Sequence, residues 1–238
     1  MPPFHGGDQG FDPPTDYLLD FNNYYGFHHV NPYEGFDYKQ FPQKIEGWGS
    51  DHQIFEKLIL ENRPKLIFEV GTWLGASAIH MAKIIKENNL DTKIICIDTW
   101  LGALEFLNNF NDVTRYQALD KIYGFPTVYY QFLANVCHCN LQDIIIPFPI
   151  TSVIAARYFK KFNINADLIY IDGSHDHIDV KMDLFHYVHV LSEDGIIFGD
   201  DYPWPGVGKA VNEFASENNY NLELFDSEKW IIKKNFEV

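Results

Sequence analysis

Lys65-Leu66-Ile67-Phe68-Glu69-Val70-Gly71-Thr72-Trp73-Leu74-Gly75-Ala76-Ser77 is the stretch on which the fold turns. An apolar run holds an acid near its end, glycines follow at Gly71 and Gly75, and apolar residues then recur with helical spacing at Ile79, Met81, Ala82, Ile84 and Ile85. The pattern predicts a buried parallel strand turning tightly into a helix whose N-terminus faces a ligand. Such a turn forms a nucleotide-cofactor pocket.

What the loop lacks narrows the cofactor. A dinucleotide turn needs a second glycine two residues after the first, where the backbone approaches a pyrophosphate; here Thr72 and Trp73 follow Gly71. There is also no Gly-Lys-Ser/Thr ending to hold a triphosphate. One strand further on, Lys93-Ile94-Ile95-Cys96-Ile97-Asp98 is another apolar run closed by an acid. A carboxylate at that point can accept hydrogen bonds from both ribose hydroxyls of an adenosine, which makes Asp98 the expected ribose clamp.

The first loop, with Glu69, Gly71 and Gly75, resembles the first motif of class I S-adenosylmethionine-dependent methyltransferases. In that family an acidic strand end and a glycine loop hold the methionine part of the cofactor. The resemblance implies S-adenosyl-L-methionine at Glu69, Gly71, Thr72, Gly75, Ser77, Asp98 and Thr99.

The chain has 238 residues, 46% hydrophobic and 16% aromatic, enough for one substantial core with an appendage. A net charge of −15, from 33 acidic against 18 basic residues, argues against a phosphate-backbone binder, so no nucleic acid partner is expected. Three cysteines, Cys96, Cys137 and Cys139, form no disulfide framework. Cys137-His138-Cys139 lacks the second half of a zinc set and reads as thiols near a helix end. With no leader pattern and no run of about 18 apolar residues, a soluble cytoplasmic protein without a membrane partner is expected.

Residues 1–45 read as an irregular arm, because Pro and Gly interrupt it while aromatics from Phe4 to Phe41 interleave with them. The arm is expected to pack on protein, on this domain or in a homo-oligomer, rather than to close over the substrate. His28-His29 belongs to that surface. The domain proper spans 46–238. Ile54, Phe55, Leu58 and Ile59 predict a first helix, capped by Ser50 or Asp51, and Trp48 before it either touches the ligand or staples the helix to the core. An aromatic insertion at about 101–140, containing a helix through Tyr129–Cys137, lies at the ligand edge of the sheet and is the first candidate for substrate contact.

Ile144–Pro149 predicts a third strand, with Ser152 either capping the next helix or facing the adenine. Ala166–Asp172 forms a fourth strand and Ile196–Tyr202 a fifth, with a turn at Glu193-Asp194-Gly195 between helix and strand. Pro203–Gly208 reads as a rigid loop before a last helix, Lys209 to Glu217, and the chain closes in a hairpin. Alternating β-α units with that ending predict an α/β fold: a Rossmann-like doubly wound, mostly parallel sheet with an antiparallel C-terminal edge hairpin.

In such a sheet the first, fourth and fifth strands point their carboxyl ends at one crevice, which gathers Asp172, Asp200 and Asp201. Three close carboxylates repel unless a positive charge sits among them or some stay protonated, and an oxygen-ligated divalent cation, magnesium first, would resolve the conflict. The trio resembles the metal-dependent small-molecule O-methyltransferases of the catechol type and of the macrocin and mycinose sugar type. The resemblance implies Asp172, Asp200 and Asp201 as metal ligands, with Asp172 also near the cofactor. It departs from the catechol pattern where His175 replaces the lysine that serves there as base. Imidazole is a competent acceptor for a hydroxyl proton, so His175 is the expected general base, its alternative being a helix cap beside Asp176.

The expected reaction is methylation of a hydroxyl on a small molecule. A cofactor-binding protein without turnover would not need the acid trio or His175. A nicotinamide-dependent oxidoreductase would not put Trp73 in the cofactor loop.

Overall fold

Each apolar run that ends in or near an acid becomes a strand of one sheet. The computed structural model describes residues 28, 31–104, 106 and 117–234. In chain order the elements are α1 (Gln53–Asn62), β1 (Leu66–Val70), α2 (Ala76–Glu87), β2 (Lys93–Asp98), the short hairpin β3 (Lys121–Ile122) and β4 (Phe125–Pro126), α3 (Val128–His138), β5 (Ile145–Pro149), α4 (Ser152–Lys161), β6 (Ala166–Ile171), α5 (His177–Tyr187), β7 (Leu191–Gly199), α6 (Pro205–Glu217), β8 (Tyr220–Phe225) and β9 (Lys229–Lys234). The seven-stranded sheet runs β5-β2-β1-β6-β7-β9-β8. Its pairs are parallel from β5 to β7, and β9 is antiparallel to both β7 and β8. This is the Rossmann-like arrangement expected from the sequence.

Strand alternation divides the core between two faces. Ile67, Ile94, Cys96, Leu168 and Phe198 meet α1, α2 and α3 on one side, through Phe55, Leu58, Ile79 and Phe132. Phe68, Ile95, Ile169 and Ile197 meet α4, α5 and α6 on the other, through Phe159, Leu184 and Val211. Phe68 and Phe159 stack with ring centroids 4.1 Å apart. Because the winding reverses beside β1, the carboxyl ends of β1, β2, β6 and β7 surround one crevice.

Four local expectations are corrected. The cap of α1 is His52, whose Nδ1 accepts from Ile54 N at 3.2 Å, rather than Ser50 or Asp51. The cap of α4 is Thr151, and Ser152 is its first helical residue. The last helix starts at Pro205, not Lys209, since a proline at the first helical position gives up only an N–H that would have no partner there. The turn expected at Glu193-Asp194-Gly195 lies within β7, whose register jumps from Ala166 opposite Leu191 to Leu168 opposite Ile196.

Residues 31–45 lie against the domain. His138 Nε2 is 2.8 Å from Phe41 O, and Gln131 Nε2 donates to Pro42 O at 2.8 Å. Upstream, His28 Nε2 lies 2.6 Å from Pro147 O, and Tyr33 Oη donates to Ile145 O at 3.1 Å, so both reach the outer edge of β5. The rest of the expected arm, including His29, and residues 105 and 107–116 of the expected insertion, including Phe110 and Tyr116, lie outside the described residues. No helix among the described residues is long and apolar enough to cross a membrane.

Candidate active site

The turn after β1 is built by close backbone contact. Gly71 has φ +84°, its N–H donates to Ile97 O at 2.9 Å, and Asp172 N donates to Val70 O at 2.8 Å. Glu69 was expected to touch the cofactor; instead it is fully buried and lies outside the cavity lining. Its carboxyl accepts from Thr72 Oγ1 at 2.9 Å, from Ser77 Oγ, and from Cys96 Sγ at 3.3 Å. It therefore locks the loop from below, because a strand-end side chain pointing into the sheet layer cannot also reach solvent. Gly75 likewise sits off the cavity, capping α2 at φ +84° where a Cβ would meet Phe132 at 2.8 Å.

Burial pushes the Glu69 carboxyl up to about 7 and the buried Asp183 carboxyl, which faces Ser152, also up to about 7. Both groups hold their proton more tightly folded than unfolded. The stability this gives is complete below the ordinary carboxylate range and is lost as pH rises through about 7. Urea denaturation should accordingly show lower stability at pH 8 than at pH 5, with Glu69 accounting for up to about 3 kcal/mol. Glu69→Gln should flatten that slope; an equal slope in variant and wild type would remove Glu69 as the cause.

Above the loop lies a cavity of about 560 Å³, within the range of roughly 300–1,000 Å³ usual for small-molecule sites. Of the residues expected to hold the cofactor, Gly71, Thr72, Ser77, Asp98, Thr99, Ser152 and Asp172 line it. Thr72 and Ser77 are nevertheless almost wholly buried, their hydroxyls turned to Glu69. Asp98 Oδ2 accepts from Thr72 N at 3.0 Å and Trp73 N at 2.9 Å, and Oδ1 accepts from Trp100 N at 2.7 Å. Three of about four acceptor positions are thus occupied, leaving Oδ1 with one. Trp73 and Trp100 have φ of +52° and +54°, and Trp100 Nε1 donates to Trp73 O at 2.8 Å. Glu46, Gly47, Trp48 and Ser50 approach the same cavity, with Trp48 71% exposed, so Trp48 faces the mouth rather than stapling α1.

At the other flank of the cavity stand Asp172, His175, Asp200, Asp201 and Trp204. His175 Nε2 is 2.6 Å from Asp201 Oδ2, and its ring stacks on Trp204 at 4.5 Å and 19°. The pairing with Asp201 sets His175 in the site instead of at the cap of α5, which is Asp176. Burial, then the carboxylates of Asp200 and Asp201, push Asp172 well above the usual carboxylate range, while Lys229 and the Tyr170 hydroxyl act against the rise. Ligand atoms of Asp172, His175 and Asp201 lie within 4.8 Å of one another, a fit for one divalent cation.

Asp200 does not join that group. The expected trio is corrected here, for a physical reason: Asp200 Oδ2 pairs with the fully buried ammonium of Lys229. Sequence reading missed Lys229, Tyr170 and Asn135. Lys229 opens the strand whose next residue, Trp230, pairs with Gly199, so counting back through the hairpin register would have set it beside Asp200. Asn135 on α3 is fully buried; its Oδ1 accepts from Lys44 N at 2.9 Å, and its Nδ2 donates to Lys44 O at 2.7 Å and to Leu74 O at 2.9 Å. It joins the stretch before Trp48 to the cofactor loop.

A family model described as a methyltransferase domain matches residues 68–202, more than half of the chain. This chain belongs to that family. The methyltransferase adopts the same fold as several solved structures. The O-methyltransferase NovP is 19% identical, with a TM-score of 0.56 over 77% of each chain. The O-methyltransferase from Bacillus cereus in complex with SAH is 12% identical, with a TM-score of 0.54 over 82% of this chain and 86% of that one. CalS11, a calicheamicin methyltransferase, is 17% identical, with a TM-score of 0.54 over 76% of each chain. None of the curated proteins matches this methyltransferase.

Proposed function

We propose that this methyltransferase uses S-adenosyl-L-methionine to methylate a hydroxyl oxygen of a small molecule. The observation that carries the reading is one cavity that joins a loop-bound carboxylate, Asp98, to the Asp172, His175 and Asp201 group. The cofactor supplies an electrophilic methyl on a positively charged sulfur. Asp98 takes one ribose hydroxyl at Oδ1, and Ser152 with its neighbours at the start of α4 lines the adenine side. The O-methyltransferase from Bacillus cereus, which shares the fold, is in complex with SAH, and this supports a cofactor of that kind.

The residues contribute by alignment and by proton handling. A hydroxyl entering beside Trp204 meets the His175–Asp201 pair, which takes the released proton when it holds no cation, since the same atoms cannot accept the proton and ligate a cation at once. Its oxygen forms the new bond to the methyl carbon as the carbon–sulfur bond breaks, leaving S-adenosylhomocysteine. Asp172, His175 and Asp201 would hold a divalent cation, which would lower the hydroxyl pKa. Magnesium suits the two carboxylates, and the imidazole widens the choice to manganese.

Two measurements test this. Calorimetry should show binding of S-adenosylhomocysteine and none of NAD; the reverse would favour an oxidoreductase. With labelled S-adenosylmethionine and a panel of phenolic, sugar and aliphatic hydroxyl acceptors, His175→Ala should lower turnover by at least about 100-fold. Undiminished turnover across pH would remove His175 from the chemistry.

A further inference from the structure

The Lys229 ammonium is the one fully buried basic side chain among the described residues. Four groups enclose it. Asp200 Oδ2 is its ion-pair partner, and it donates to Tyr170 Oη at 3.4 Å. The Phe55 and Tyr170 rings lie 5.5 and 5.6 Å from the nitrogen. Gly49 closes the fourth side at φ +56°, where a Cβ would come within 3.0 Å of both Asp200 Oδ2 and Lys229 Nζ. Tyr170 Oη in turn donates to Asp172 Oδ2 at 2.9 Å. Asp200 Oδ1 is also engaged, by Asp201 N at 2.8 Å. One internal cation therefore fixes two of the three clustered carboxylates.

From this geometry we infer that Lys229 is a positioning residue: it holds Asp200 out of cation coordination and, through Tyr170, orients Asp172, so that Asp172 and Asp201 are the carboxylate ligands beside His175. The inference rests on the cation reading given under Proposed function. Three carboxylates at one crevice need compensation, and a buried ammonium paired with one of them removes that carboxylate's lone pairs from competition. The cation site that remains has two carboxylates where the sequence alone offers three.

Manganese(II) is the probe, titrated by calorimetry against the full chain, with S-adenosylhomocysteine titrated into the same preparations. Asp200→Asn should leave the manganese dissociation constant within about 3-fold of wild type, whereas Asp172→Asn and Asp201→Asn should weaken it at least about 10-fold. Lys229→Met should tighten it about 10-fold, because the released Asp200 carboxylate becomes a further ligand, and Lys229→Met/Asp200→Asn should return it to the wild-type value. A loss in Asp200→Asn equal to that in Asp201→Asn overturns the inference, as does an unchanged Lys229→Met. If Lys229→Met does not fold, the Asp200→Asn comparison decides alone. Wild type that binds S-adenosylhomocysteine but no manganese overturns the inference and leaves the methyl-transfer reading standing. Wild type that binds neither overturns both.

Discussion

Asp98→Ala lowers the affinity for S-adenosylhomocysteine at least about 100-fold, measured by calorimetry. The expected size follows from what the carboxylate holds. Thr72 N, Trp73 N and Trp100 N all donate to it, and a backbone amide deprived of its acceptor in a half-buried site loses about 1–3 kcal/mol. Trp73 and Trp100 are in left-handed backbone conformations, which cost of order 1–3 kcal/mol each and persist only while surrounding bonds impose them. Without the carboxylate the cofactor loop relaxes, and the ribose acceptor is lost in the same substitution. Asp98→Asn keeps one oxygen acceptor and should fall between the two. An alanine variant that binds within about 3-fold of wild type would mean that the loop is held by other contacts.

Gly71→Ala destabilises the fold by about 4 kcal/mol or more in urea denaturation. The new Cβ would lie 2.2 Å from Asp172 O and 2.4 Å from Gly173 Cα. Both are backbone atoms, so no side-chain rotation relieves the overlap; β1 and β6 would have to separate where Asp172 N bonds Val70 O. The conformation at φ +84° adds its own cost. Gly173→Ala is the control, since its Cβ would meet Val70 no closer than 3.7 Å. Equal stabilities for the two variants would show that the β1 turn is not the constrained point.

Much of this architecture was legible because apolar runs carrying acids at their ends are a one-dimensional signal. Asp98 and Asp172 each lie at the end of such a run, and each borders the cavity. Glu69 was misread because the same signal does not say which side of the sheet an acid faces: one residue of register separates a ligand contact from a buried brace. Asp200 was misread because its partner, Lys229, comes from a strand whose pairing is set by a hairpin, not by nearby sequence. Three converging carboxylates suggested a cation, and the fold supplies one of its own beside Asp200. The pairing of His175 with Asp201 joins residues that local spacing does not connect, since β6 and β7 bring their ends together only in the assembled sheet.

The two upstream side chains that reach β5 also bear on whether the sheet can be extended at that edge. Ile145 O and Pro147 O are seats that an incoming strand from another chain would need, and Tyr33 and His28 already occupy them. Among the described residues the sheet ends on that flank in side chains, so a neighbour cannot extend it there until those contacts let go.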